Sequence, residues 1–205
     1  MAGIQSFKSR VSGDFSRPNL FKCVIDFPSV VEGGQEASKL GEFTVRAANL
    51  PATQLGIVEV PYRGRVLKIA GDRTFEPWTI TIMNDKNFVL RYAFEQWAQS
   101  IQEYTQNVTT AGSDVGSYFK DMKVIQYDRF GTLKDKTDLA ADAEANPKIL
   151  AEYKFFDTFP TNVAAIDLDY GSNDAISEFT VELQVQYWKP VYKGEKTEGG
   201  KKVNG

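Results

Sequence analysis

The sequence predicts a mainly β protein: an antiparallel β-sandwich or barrel with one flanking α-helix. Three observations carry that reading. Apolar and polar residues alternate with period 2 in several segments, most cleanly over Phe179 to Trp188 and over Trp78 to Met83. One stretch alone sustains helical spacing, with Leu90, Ala93, Phe94, Trp97 and Ile101 on a single stripe. Short turns join consecutive strands, which favours antiparallel neighbours over crossover connections.

The elements follow in order. Residues 1–16 form a polar, basic N-terminal arm in which Ile4, Phe7 and Val11 have helical spacing. Arg17-Pro18-Asn19 stops it and opens the main domain, residues 17–190. Leu20 to Phe27 is a strand with Phe21, Cys23, Ile25 and Phe27 on one side. Pro28 to Leu40, with Gly33-Gly34, reads as a loop, and Gly41 to Ala48 as a second strand. Asn49-Leu50-Pro51 ends that strand, because the residue before proline is pushed out of the helical region. Ile57 to Ala70 reads as two strands around Pro61 to Gly64, with one apolar face and one charged face bearing Glu59, Arg63, Arg65 and Lys68.

Gly71 to Asp85 packs a strand, a turn and a helix start into one segment. Trp78, Ile80 and Ile82 alternate with Thr79, Thr81 and Met83; Asn84 and Asp85 offer an N-cap. The helix is expected from about Lys86 to about Tyr104, with its aromatic stripe on a sheet. Further strands are expected at Tyr118 to Phe130, Glu152 to Phe156, Ala165 to Tyr170 and Phe179 to Trp188. Phe159-Pro160-Thr161-Asn162-Val163 reads as a turn, and residues 131–150 as an exposed insertion. Residues 191–205 are Gly, Lys and Glu, a flexible tail.

Composition removes whole classes of function. With 42% hydrophobic and 25% charged residues the chain is globular, not disordered. Its net charge of −3 opposes tight wrapping of phosphate backbones. No apolar run reaches the roughly 20 residues of a membrane span, and the first residues lack a signal-peptide core. The single cysteine, Cys23, cannot form an internal disulfide and suits a reducing compartment; on an apolar strand face it reads as inert. The chain contains no histidine, so a Ser-His-Asp triad, a Cys-His pair and a His-ligated metal are all excluded.

The remaining candidates read as structural. Asp167, Asp169, Gly171 and Asn173 partly match a calcium loop, but a third ligand before the glycine and a distal Glu are missing. They also fit the solvent face of a strand whose Ile166, Leu168 and Tyr170 point inward. Asp72, Arg73 and Glu76 suit an ion pair pinning a turn better than an acid–base cluster. No Walker loop or dinucleotide fingerprint occurs. No cofactor or metal is expected.

Several motifs occur in a telling order: Gly13-Asp14-Phe15 with Arg17-Pro18-Asn19-Leu20-Phe21; Ala48-Asn49-Leu50-Pro51-Ala52; Ala70-Gly71-Asp72-Arg73-Thr74-Phe75 with Trp78 to Asp85; Phe159 to Val163; and Asp169-Tyr170-Gly171-Ser172-Asn173-Asp174 leading to Tyr187-Trp188. Together, from about Gly13 to Trp188, they resemble the tail tube proteins of contractile-tailed bacteriophages. The Gly33-Gly34 loop, the Lys134–Lys148 insertion and the segment after Trp188 depart from that pattern.

The resemblance implies a structural virion protein, not an enzyme, assembled in the host bacterial cytoplasm into the virion tail. It implies six subunits per ring and rings stacked into a hollow tube. Strands of every subunit would join a continuous β-barrel around the lumen. Implied partners are other copies of the chain, a sheath outside, baseplate and tail terminator proteins, and tape measure protein and DNA passing through. The related needle tubes of type VI secretion share the fold. A shared barrel removes open sheet edges, and an acidic subunit suits a conduit that must not hold DNA.

On this reading Glu59, Arg63, Arg65, Lys68, Glu182, Gln184 and Gln186 are expected to face the lumen. Phe7, Phe15, Leu50, Leu55, Ile57, Asp72 and Arg73 are expected at contacts between subunits and rings. Competing readings are an injection-system tube with protein cargo, a monomeric β-sandwich carbohydrate-binding module, and a carboxylate-pair glycosidase.

Overall fold

Residues 4–10, 15–132 and 146–191 are described by a computed structural model. In chain order they form α1 (Ile4–Arg10), β1 (Phe21–Val24), α2 (Gly34–Thr44), β2 (Val45–Ala48), β3 (Thr53–Tyr62) and β4 (Arg65–Phe75). Then follow β5 (Trp78–Met83), α3 (Val89–Ile101), a 3-10 turn (Val115–Tyr118), β6 (Lys120–Thr132), β7 (Asn146–Val163), β8 (Glu178–Gln184) and β9 (Tyr187–Pro190). Every described strand pair is antiparallel. The mainly β, antiparallel fold expected from the sequence is what the chain adopts.

One sheet runs β1-β6-β7-β8-β5-β2, with β9 also on β7; β3 and β4 make a separate two-stranded sheet. The long β7 serves three partner strands. Its first part lies between β6 and β9, and its last residues, Phe159 to Val163, pair with β8. Asp157, at φ 53°, marks the switch. There the buried Thr158 hydroxyl donates to the Lys120 carbonyl at 2.5 Å, satisfying a polar group in the core.

The sheet bends around one core. Trp78 of β5 stacks on Phe155 of β7 with ring centroids 4.3 Å apart, tying its two regions together. The predicted stripe of α3 supplies Leu90, Ala93, Phe94 and Trp97, all buried. Phe27 meets Phe94 and Trp97 edge-on, and the Trp97 indole N–H donates to the Tyr118 carbonyl at 2.9 Å. Cys23 is buried here, and desolvation pushes its thiol up to about 12.

Several sequence expectations need correction. A second helix, α2, occupies most of the expected 28–40 loop and shortens the next strand to Val45–Ala48. Gly33, at φ 71°, is the α2 N-cap, so a residue read as a loop marker starts a helix. Gly41 is buried on the inner side of α2, facing Ile25 and Leu90.

Phe159 to Val163 is strand, not turn; Pro160 is accommodated by a register shift between Pro160 and Asn162. Ala165 to Tyr170 forms no strand, and Leu168 and Tyr170 point outward, Leu168 being 89% exposed. The expected Phe179–Trp188 strand breaks at Val185-Gln186 into β8 and β9. Helix α3 starts at Val89, later than expected. Asp85 still helps start it: its carboxylate accepts the Asn87 and Val89 N–H groups, both at 2.9 Å. The 131–150 insertion falls largely, and the tail after residue 191 wholly, outside the described residues, as does Val11 of the arm.

Candidate assembly surface

The hairpin of β3 and β4 continues the edge of the sheet. Strand β2 pairs with β5, and the same two chain segments run on as β3 and β4. Pro51 and Pro77 stand where the ladder is interrupted, because proline supplies no N–H to it. The hairpin spans roughly 30 Å at about 3.4 Å per residue. Arg63 and Gly64, at φ 45° and 81°, make the two-residue turn at its tip. At its base, Phe75 meets Trp188 edge-on at 6.1 Å, and the Trp188 indole N–H donates to the Ala52 carbonyl at 3.4 Å.

Nearly every hairpin residue is exposed, on both faces. Register sorts the side chains. Ile57 with Ala70, Glu59 with Lys68, and Pro61 with Val66 share one face. Val58 with Ile69, Val60 with Leu67, and Tyr62 with Arg65 share the other. The expected split into one apolar and one charged face is therefore corrected. The Glu59–Lys68 ion pair, at 3.6 Å, lies among apolar residues on one face. Arg65 lies opposite it, and Arg63 sits in the turn over the Tyr62 ring. Residues 65 and 68 are three apart, and period 2 puts them on opposite sides.

Gly71 and Gly56 face each other across the register shift in this hairpin. A Cβ on Gly71 would stand 3.1 Å from the Gly56 carbonyl carbon, so the glycines allow a close backbone crossing. Asp72 and Arg73 follow, both exposed, and neither has an ion-pair partner among the described residues; the expected turn-pinning pair is not formed. The joint is made by glycine and a bulge instead. Leu50, Leu55 and Ile57 are exposed along the hairpin base. Leu50 also borders a cleft of about 120 Å³ with Pro18, Phe21 and Ala48. Phe7 of α1 and Phe15 stack on each other at 6.5 Å, both exposed.

Glu182 and Gln184 lie on the opposite side of β8 from the buried Phe179, Val181 and Leu183. Gln186 is exposed in the break after β8. Across the ladder Glu182 is flanked by Thr79 and Asn162, and Thr180 by Thr81. This outer face is a continuous band of small polar groups. The alternation over Trp78 to Met83 held the signal for Thr79 and Thr81, but pairing with β8 is what joins them to Glu182. Asn162 was hidden by Pro160, two residues before it, which made the segment read as a turn. Among the described residues no group of His, Cys, Asp and Glu could hold a metal. No helix of the described residues is long and apolar enough to cross a membrane.

A family model described as phage tail tube protein matches residues 16–190. The tail tube protein of Enterobacteria phage T4 is 36% identical over 178 residues, covering 87% of this chain and 93% of the relative. That of Serratia phage KSP90 is 27% identical, covering 90% and 94%. Among solved structures, a chain of the sheath/tube terminator of an extracellular contractile injection system superposes with a TM-score of 0.57 at 14% identity, covering 87% of this chain and 99% of that one. A chain of the tube-terminating cap of the anti-feeding prophage gives 0.55 at 15% identity, covering 87% and 91%. These two likenesses concern the fold.

Proposed function

Because the chain belongs to the phage tail tube protein family, whose members are structural components of the virion tail, we propose that six copies close into a ring and that rings stack into the hollow inner tube that delivers the genome. The observation that carries this is the hairpin of β3 and β4. A two-stranded ribbon with Leu55, Ile57, Val60 and Leu67 in water on both faces is costly for a monomer and suits one embedded among neighbouring copies. Open edges at β1 and β2 would pair with neighbours in a closed barrel.

In this arrangement the polar band of Glu182, Gln184, Thr79 and Thr180, with Gln186, lines the lumen. On the hairpin the Glu59–Lys68 pair would add to the wall a positive charge neutralised in place. Such a wall offers DNA few unpaired cations and so little hold. Leu50, Leu55, Ile57, Asp72, Arg73 and the Phe7–Phe15 pair lie at contacts between copies. A sheath would surround the tube, baseplate and terminator proteins would cap its ends, and the tape measure protein would precede DNA through it.

Electron microscopy of the purified full chain tests this. Hollow tubes of uniform width with six-fold rings are expected; a monomer at all concentrations overturns the reading. The lumen assignment has its own check in Glu182→Cys on a Cys23→Ala background. In tubes, residue 182 should react with a small thiol reagent and resist a maleimide on a long polyethylene glycol chain. Equal reaction with both places it outside the lumen.

A further inference from the structure

In the segment joining β7 to β8, residues 164–177, the structure turns outward Leu168 and Tyr170, which the sequence pattern placed inside. Leu168, Tyr170 and Ile176 are exposed in it. It carries Asp167, Asp169 and Asp174 and no Lys or Arg. None of the three carboxylates has an ion-pair partner among the described residues; the Asp169 carboxylate accepts the Gly171 N–H, at 3.0 Å. The hairpin tip has the opposite character. Arg63 and Arg65 are exposed beside Tyr62 and have no ion-pair partner among the described residues either.

Strand direction places these regions at opposite ends of one sheet. The hairpin leaves from the Ala48 and Trp78 ends of β2 and β5. In the pairing of β5 with β8, Trp78 lies opposite Leu183 and Met83 opposite Glu178. The 164–177 segment enters β8 at Glu178, so it sits at the far end from the hairpin. It is held there by Asn84, whose side-chain amide donates to the Ser177 hydroxyl at 2.9 Å. A subunit with unlike, complementary ends is built for head-to-tail contacts, which generate open stacks.

We propose that the hairpin of each copy docks on the 164–177 segment of the next copy along the tube. Arg63 and Arg65 then face Asp167, Asp169 and Asp174, while Val60 and Leu67 cover Leu168 and Tyr170. This rests on the ring-and-tube reading above and goes beyond it by naming both halves of the contact. Charge at the rim orients the encounter and fixes polarity, and the apolar residues supply the buried area.

The test uses the full chain in four forms: unmodified, R63E/R65E, D167K/D169K, and all four substitutions together. Sedimentation and microscopy should show loss of tubes in each charge-reversed pair and their return in the combined variant. Separately, Tyr62→Cys with Tyr170→Cys on a Cys23→Ala background should give, on oxidation, a ladder of covalent multimers. Tubes from the unmodified chain with no ladder, or with both charge-reversed pairs assembling normally, overturn the docking and leave the tube reading standing. Absence of tubes from the unmodified chain overturns both. Where a charge variant fails to fold, the ladder alone decides.

Discussion

Strands β4 and β5 are separated by two residues and alternate in the same way, yet they live in different worlds. Ile69 of β4 is 49% exposed and Ile80 of β5 is 0% exposed. Trp78, Ile80 and Ile82 meet the helices and Phe155; Ile69 and Leu67 meet only the facing strand and solvent. Equal local patterns thus serve two tasks. The body buries its apolar face within one chain, and on the tube reading proposed above the hairpin keeps its own for another chain. The lesson is that equal alternation can end in a buried face or an exposed one, and the exposed one is what the proposed assembly would use.

Removing Trp97 should break the body outright. Trp97→Ala empties a fully buried site and orphans the Tyr118 carbonyl, at a cost of about 3–5 kcal/mol in chemical denaturation, with tubes lost through unfolding. Alkaline titration probes the same core through Cys23. Its thiol, ordinarily near 9.0, is held to about 12 by burial, so the folded state keeps a proton that the unfolded state releases. Stability should be intact below pH 9 and fall above it by at most about 1.4 kcal/mol per pH unit. Cys23→Ala should flatten that limb; an unchanged slope would assign it to other groups such as Tyr127, which burial also raises.

Trp188→Ala strikes the joint between the two regions, removing the ring against Phe75 and Tyr153 and the bond to the Ala52 carbonyl. A loss of about 1–2 kcal/mol is expected, with faster amide exchange at the hairpin base than in β5. The smallest effect on stability is the sharpest test. Val60→Thr with Leu67→Lys should change unfolding by no more than about 1 kcal/mol while abolishing sedimentable tubes. A large drop in thermal midpoint would mean that the hairpin stabilises the subunit after all.

Much of this was legible in the residues. Period-2 runs located the antiparallel strands, and one stripe from Leu90 to Ile101 identified the helix that fills the core. The absence of histidine and the order of short motifs pointed away from catalysis and toward a tail tube. Periodicity reports which residues share a side, because that is backbone geometry. It cannot report what covers that side. For this reason only the tertiary structure separated the hairpin from the body, split Arg65 from Lys68, brought Thr79 beside Glu182, and turned Leu168 and Tyr170 outward. The same limit explains the missed elements. Pro160 ends a strand in isolation but sits in β7 at a bulge, and Gly33 breaks structure in isolation but starts α2 where Ala37 and Gly41 find a core to face.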